Sequence, residues 1–326
     1  MLAWLAKGSE KVMEEPKIIT RLDGGLGNQM FQYSLGRALS LLHHAPLYLD
    51  ISVYRSYSTR QYALDVFNIA ASALPTPGPF VTKLPLFRAA GRVMGNIARQ
   101  LPPGVVAMIS GMAAKGSKVK IPDAIAADPG HLRRESEQFA FDSTVLASHP
   151  PIFLVGFWQN EKYFSAFRET IQRDFTLRAP LSATARAYAK AVAQQPSASL
   201  HIRRGDYVHS SARQRLNVCG LEYYHDALRI VNSSIPGVRI FVFSDEIAWA
   251  RANLKIDRVT FVEGCRDFEE LFLMSRCNHN IIANSSFSWW GAWLNTKADK
   301  LVIAPCRWLN GGTDGRTPVP DAWKKI

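Results

Sequence analysis

I-I-T-R-L-D-G-G-L-G-N-Q, Ile18 to Gln29, joins a β-favouring apolar run, a glycine turn and the first residues of a helical pattern. Ile18 to Leu22 reads as a strand. Gly24, Gly25 and Gly27 allow a tight turn, and from near Asn28 apolar residues recur at helical spacing. Met30, Leu35, Leu39 and Leu42 fall near one face of that helix, and Leu47 to Asp50 returns as a second strand. The chain therefore opens with a βαβ unit, the building block of a parallel sheet.

The same alternation continues downstream. Pro151 to Trp158 reads as a buried strand, Glu161 to Phe175 as a helix, and Ala179-Pro180 as a hinge. Strand-like runs follow at Leu200–Ile202, Arg239–Phe243, Thr260–Val262, Asn280–Ala283 and Leu301–Ala304. Helical patterns separate them at Glu222–Val231, Ile247–Leu254, Asp267–Arg276 and Phe287–Asn295. Such alternation predicts an α/β fold with parallel strands and right-handed crossovers. A length of 326 residues predicts two domains, taken as 1–179 and 180–326.

A stretch at about 69–122 departs from this pattern: it is rich in Pro and Gly, contains Lys and Arg, and has no Asp or Glu. It reads as a basic insertion. Within it Leu86, Ala90, Val93, Ile97 and Leu101 recur at helical spacing, predicting an amphipathic basic helix. The whole chain carries a formal charge of +12, which implies an anionic partner: nucleotide phosphate, nucleic acid or a lipid surface. With 47% hydrophobic and 20% charged residues it is an ordinary globular chain. Cys219, Cys265, Cys277 and Cys306 lack metal-site or redox spacing and read as small buried hydrophobes, which suits the cytoplasm. No apolar run reaches the roughly 20 residues of a membrane span, and the first residues are too short for a signal peptide.

Open parallel sheets bind ligands beyond the carboxyl ends of their strands. Arg203, Arg204, Gly205 and Asp206 follow one such strand. Alternation sends the two arginines different ways, so one holds phosphate while the other packs or pairs with Asp206. After the next strand, Asp245 is placed to accept from the N1 and N2 donors of guanine, although Ser244 or Asp245 also suits a helix cap and Glu263 is a rival reader. Asn284, Ser285 and Ser286 precede a helix, and hydroxyls with free amides at a helix start form an anion site suited to a diphosphate. Trp290, Trp293 and Leu294 share a core-facing side of that helix, leaving Trp289 to line a cleft. Gly24 to Gln29 is neither a Walker loop nor a G-x-G-x-x-G fingerprint.

G-G-L-G-N-Q-M-F-Q-Y (Gly24–Tyr33), H-I-R-R-G-D-Y (His201–Tyr207) and N-S-S-F-S-W-W-G-A-W-L (Asn284–Leu294) together resemble bacterial alpha-1,2-fucosyltransferases, and G-F-W-Q-N-E-K-Y-F (Gly156–Phe164) is similar to a further family segment. The resemblance implies two facing Rossmann-like domains of the GT-B type. The carboxyl-terminal half would hold GDP-fucose, the other half would admit a glycan or lipid-linked oligosaccharide acceptor, and transfer would invert the anomeric carbon. Carried across, His201 and Arg203 would contact the donor, Ser285, Ser286 and Phe287, with Asn284 before them, would cradle the diphosphate, and the turn bearing Gly25, Gly27 and Asn28 would approach the donor.

The leaving GDP gathers negative charge, which fixed donors stabilise. The sequence has no D-x-D, so Arg203 and the helix at Ser285 are expected to replace a metal, with no cofactor. Asp206 is the first expectation for a base and Asp23 the second, unless a dissociative reaction needs none. Transfer or hydrolysis of another GDP-sugar is the alternative enzyme reading. A nucleic-acid binder is set aside, because the basic stretch lacks interleaved aromatics and the strand-end clusters would go unexplained. Peripheral contact with an anionic membrane competes with a solvated helix as the role of that stretch.

Overall fold

The computed structural model describes residues 16–57, 60–74, 131–209, 211, 213–311 and 315–326. The basic helix expected around Leu86 to Leu101 lies outside the described residues. The chain divides into two compact units, Met1–Ala73 with Arg133–Ile326, and Leu74–Leu132. The first carries the sheets and the cavity described below.

β1 (Ile18–Arg21) forms where β-branched Ile18, Ile19 and Thr20 are covered on both faces. Helix α1 (Leu26–His43) begins two residues earlier than expected: Gly24 takes φ +81° and Gly25, in extended conformation, is the N-cap. A side chain is strained at such a φ, which accounts for glycine at 24. Met30, Leu35 and Leu39 are fully buried as expected, but Leu42 is 47% exposed, because the last turn stands clear of the core. His44 ends the helix at φ 51°, donating its N–H to the Ser40 carbonyl. β2 (Leu47–Asp50) then pairs parallel with β1, placing Ile18 against Leu47.

The first sheet has the order β3-β2-β1-β5-β4, with β3 at Ser72–Ala73, β4 at Leu132–Arg134 and β5 at Ile152–Val155. β5 stops short of Trp158 because the Glu135 carboxylate accepts from the Phe157 and Trp158 amides at 2.7 and 3.1 Å, drawing them out of the ladder. The helix expected over Glu161–Phe175 is broken as well. Two 3₁₀ turns, Glu161–Tyr163 and Ser165–Phe167, precede α2 (Arg168–Asp174). Phe164 sits between them at φ −141°, ψ 0°, a conformation that turns its ring inward to stack on Trp290 at 5.4 Å.

After α3 (Ala183–Ala193) the second sheet has the order β11-β10-β9-β6-β7-β8 and is parallel throughout. Its strands are β6 (Ser197–Ile202), β7 (Arg239–Ser244), β8 (Val259–Phe261), β9 (His279–Ile281), β10 (Val302–Ala304) and β11 (Lys324–Lys325). Helices α4 (Leu221–Ser234), α5 (Ile247–Asn253), α6 (Asp267–Arg276) and α7 (Ser286–Trp293) connect them. The chain runs β6, β7, β8 in one direction and then returns to lay β9 on the other side of β6. The order therefore reverses between β6 and β9, where parallel sheets open a crevice.

Helix α7 joins the two sheets. Trp289, Trp290 and Trp293 are at most 1% exposed, so Trp289 belongs to the core and lines no cleft. Its ring lies 4.4 Å from Phe31 of α1, and its Nε1 donates to the Pro318 carbonyl. Trp290 Nε1 donates to the Gly27 carbonyl at 3.0 Å, and Trp293 Nε1 to Glu161 Oε2 at 2.9 Å. Each indole thus buries its ring and satisfies its single donor, Trp290 and Trp293 on residues of the first half of the chain. A Cβ at Gly27 would lie 2.5 Å from the Ser286 carbonyl carbon and 2.6 Å from the Phe287 nitrogen, which explains glycine there.

The cysteines are all unpaired thiols. Cys277 is buried as expected, whereas Cys306 is exposed, because it follows Pro305 at the end of β10 where the chain leaves the sheet. Among the described residues no helix is long and apolar enough to cross a membrane.

Candidate active site

A cavity of about 510 Å³ occupies the crevice beyond the carboxyl ends of β6 and β9. Its walls include Gly25, Gly27, Asn28, His201, Arg203, Asp206, Asp245, Asn284, Ser285, Ser286 and Phe287, so the residues singled out for donor binding and catalysis meet in one hollow. Asp23 and Glu263 do not line it. Asp23 accepts a hydrogen bond from Tyr57, and Glu263 forms an exposed ion pair with Arg251.

The two arginines after β6 part as strand geometry predicts. Arg203 lies along the cavity, its Nη2 2.7 Å from Asp206 Oδ1 and its Nη1 3.2 Å from Asp245 Oδ2. Arg204 turns away to stack on Trp249, 3.7 Å from the ring centroid, and pairs with Glu246 at 3.0 Å. The partner of Asp206 is thus the cavity arginine itself. Asp245 is fully engaged, since Oδ1 also accepts from the Arg204 amide at 3.0 Å. Ser244, not Asp245, steadies the approach to α5, its Oγ accepting from the Glu246 amide at 3.0 Å.

Facing Arg203 is the start of α7. Ser285 is its N-cap without a side-chain capping bond, and the first helical amides have no intrahelical acceptor. They and the helix dipole favour an anion. Ser286 Oγ donates to Asn28 Oδ1 at 2.8 Å, and Gln159 Nε2 donates to the same oxygen at 2.8 Å, locking the α1 turn onto the α7 start. Asn284 reaches the wall, but its Nδ2 is taken up by the carbonyls of Leu216 and Trp308, both at 2.9 Å, so its side chain holds cavity loops in place.

His201, at the end of β6, is 4% exposed and packs 5.6 Å from Phe287. Burial, with Arg203 close by, lowers its pKa to about 3, so the imidazole is neutral at physiological pH. Its Nδ1 has no hydrogen-bond partner among the described residues.

Sequence reasoning missed Arg60. This guanidinium lines the cavity from the first half of the chain and reaches Asp206 Oδ2 at 3.2 Å. Buried Gln29 fixes its segment, donating to the Gln61 carbonyl at 2.8 Å and accepting from the Ala63 amide at 2.9 Å. Gln29 stood within the glycine-turn motif and was the available signal. Asp267 and Glu270 of α6 also line the cavity and were likewise missed. Burial, with Asp267 and Asp245 adding repulsion, pushes Glu270 up to about 7. Among the described residues no group of three or more His, Cys, Asp or Glu is placed to hold a metal ion.

The cavity wall thus presents a guanidinium, helix-start amides and a neutral imidazole. Residues 126–313 match the sequence model of Glycosyl transferase family 11. The chain is 31% identical over 319 residues to an alpha-1,2-colitosyltransferase of Escherichia coli, covering 95% of this chain and 98% of that protein. It is 30% identical over 156 residues to galactoside alpha-(1,2)-fucosyltransferase 2 of Rattus norvegicus, covering 44% of this chain and 43% of that one. Among solved structures, the fucosyltransferase NodZ from Bradyrhizobium superposes with a TM-score of 0.43 at 14% identity, covering 85% of this chain and 93% of that chain.

Proposed function

Because the chain belongs to glycosyl transferase family 11, we propose that it transfers L-fucose from GDP-fucose to a glycan hydroxyl, alpha-1,2 to galactose, with inversion and without a metal ion. The observation that carries this reading is the single cavity shared by Arg203 and the α7 start. As the bond from the anomeric carbon to the β-phosphate oxygen breaks, negative charge builds on GDP. In this reading Arg203 and the amides near Ser286 and Phe287 receive it. Arginine suits this task because its planar fork matches phosphate oxygens two at a time.

Both Asp206 oxygens are held by guanidiniums, from Arg60 and Arg203. Movement of these guanidiniums onto the diphosphate frees that carboxylate to take the acceptor's proton, which couples donor binding to base strength. The half up to residue 179 serves the acceptor in this reading and the half from 180 the donor. The basic segment 69–122 supplies contact with an anionic membrane face on the cytoplasmic side, which vesicle sedimentation with and without anionic lipid checks.

The test is incubation of the purified chain with GDP-fucose and galactose-terminated glycans, reading product mass and linkage, with and without a chelator. Alpha-1,2-fucosylated product that forms equally in chelator is expected. Loss on chelation with recovery on adding magnesium or manganese would remove the metal-free mechanism. The identity with a colitosyltransferase favours a second reading, transfer of colitose, which a side-by-side donor comparison separates.

A further inference from the structure

The loop that follows β5, Gly156 to Asn160, is held in a shape it would not adopt unaided. Trp158 takes φ 56°, in the left-handed region that a bulky side chain occupies only under constraint. The constraints come from three neighbours. Glu135 accepts from the Phe157 and Trp158 amides, Gln32 Nε2 donates to the Gly156 carbonyl at 3.0 Å, and Asn160 Nδ2 donates to the Phe139 carbonyl at 3.0 Å. What the constrained loop delivers is Phe157 and Gln159, both of which line the cavity from the first half of the chain.

Phe157 is half-buried, yet among the described residues it belongs to no part of the hydrophobic core and makes no ring contact. Two neutral amides line the same cavity. Gln138 Oε1 accepts from Arg215 Nη2 at 2.8 Å and Gln159 Nε2 donates to Asn28 Oδ1 at 2.8 Å. Among the described residues the other amide atom of each is unpartnered, a donor on Gln138 and an acceptor on Gln159. An aromatic side chain beside a few placed polar groups is the usual make-up of a small-molecule site.

On this basis, and resting on the fucosyl-transfer reading above, we propose that Phe157 is the platform on which the acceptor's galactose ring stacks, with the amides of Gln138 and Gln159 taking its hydroxyls. The C4 hydroxyl of galactose is axial, so its C3, C4 and C5 hydrogens form one apolar face. Those weakly positive hydrogens suit the negative face of an aromatic ring. In glucose the C4 hydrogen lies on the opposite side and the patch is broken. A free donor on Gln138 and a free acceptor on Gln159 complement hydroxyls, which both give and take hydrogen bonds.

The test compares initial rates of the full wild-type chain, Phe157→Leu and Phe157→Tyr with GDP-fucose and lactose. Cellobiose, which differs from lactose only at C4 of the terminal sugar, serves as the competing inhibitor. Leucine keeps an apolar bulk without the ring, and tyrosine keeps the ring. Phe157→Leu should raise the KM for lactose about tenfold, the scale of one aromatic contact. Its kcat, its GDP affinity and the Ki of cellobiose should change by no more than a few-fold, and Phe157→Tyr should stay within a few-fold of the wild type throughout.

A Phe157→Leu protein with the wild-type KM for lactose overturns the assignment, as does a Phe157→Tyr protein equally impaired. So does a Phe157→Leu protein in which lactose, cellobiose and GDP all weaken together, the mark of a packing role. Wild-type protein that binds GDP but fucosylates neither lactose nor any other galactose-terminated glycan instead defeats the fucosyl-transfer reading on which the platform depends.

Discussion

Arg203 and Asp206 are joined in an ion pair yet assigned different tasks, and kinetics can separate them. Arg203→Lys keeps the charge but loses the fork, and the loss of one such transition-state donor lowers turnover about 10²- to 10³-fold. Asp206→Asn should lower kcat while leaving GDP affinity within a few-fold. Undiminished turnover in a folded Asp206→Asn protein removes it as base. Glu270 gives a stability signature. Burial raises its pKa from the ordinary 4.5 to about 7, so the folded chain holds the proton more tightly than the unfolded chain. Its contribution is therefore fully present below pH 4.5 and is lost as pH rises through about 7. Denaturant titrations at pH 5 and pH 8 should show that fall in the wild type and a smaller one in Glu270→Gln.

Among the elements, the strand ends were the most legible part of the sequence. Short β-branched runs stopping at Arg203, Ser244 and Asn284 announce both a parallel sheet and polar groups at its rim. What the sequence concealed depends on contacts distant along the chain. Phe164 interrupts an otherwise helical pattern because its ring is needed on Trp290, more than a hundred residues away. Arg60 lies on a connecting segment that Gln29, far away in the sequence, ties to the cavity. Glu270 is in the first turn of α6, where an acidic residue ordinarily serves the helix end. The α1–α7 approach is the element most exposed to a small change. Gly27→Ala inserts a methyl group where 2.5 Å separates it from backbone. It should cost about 1–3 kcal/mol of stability and at least tenfold in activity, read by thermal unfolding and initial rates.

For the whole molecule, the two sheets share one aromatic core. Phe31, Phe164, Phe175 and the three tryptophans of α7 come from both halves of the sequence and pack at centroid distances of 4.4–6.4 Å. Two lobes joined by a loose hinge would melt separately. Lobes welded through α7 should melt together. Trp290→Ala is expected to lower stability by about 3–5 kcal/mol while keeping a single unfolding transition in calorimetry. A variant that resolves into two transitions would show that the halves fold independently.

The helix whose first amides border the cavity also carries Trp289, Trp290 and Trp293, all sealed from water. The enzyme thus contains its own optical reporter: occupancy at the mouth of α7 perturbs the emission of indoles stacked directly behind it. Donor binding can be followed in unlabelled protein, in real time, by intrinsic fluorescence.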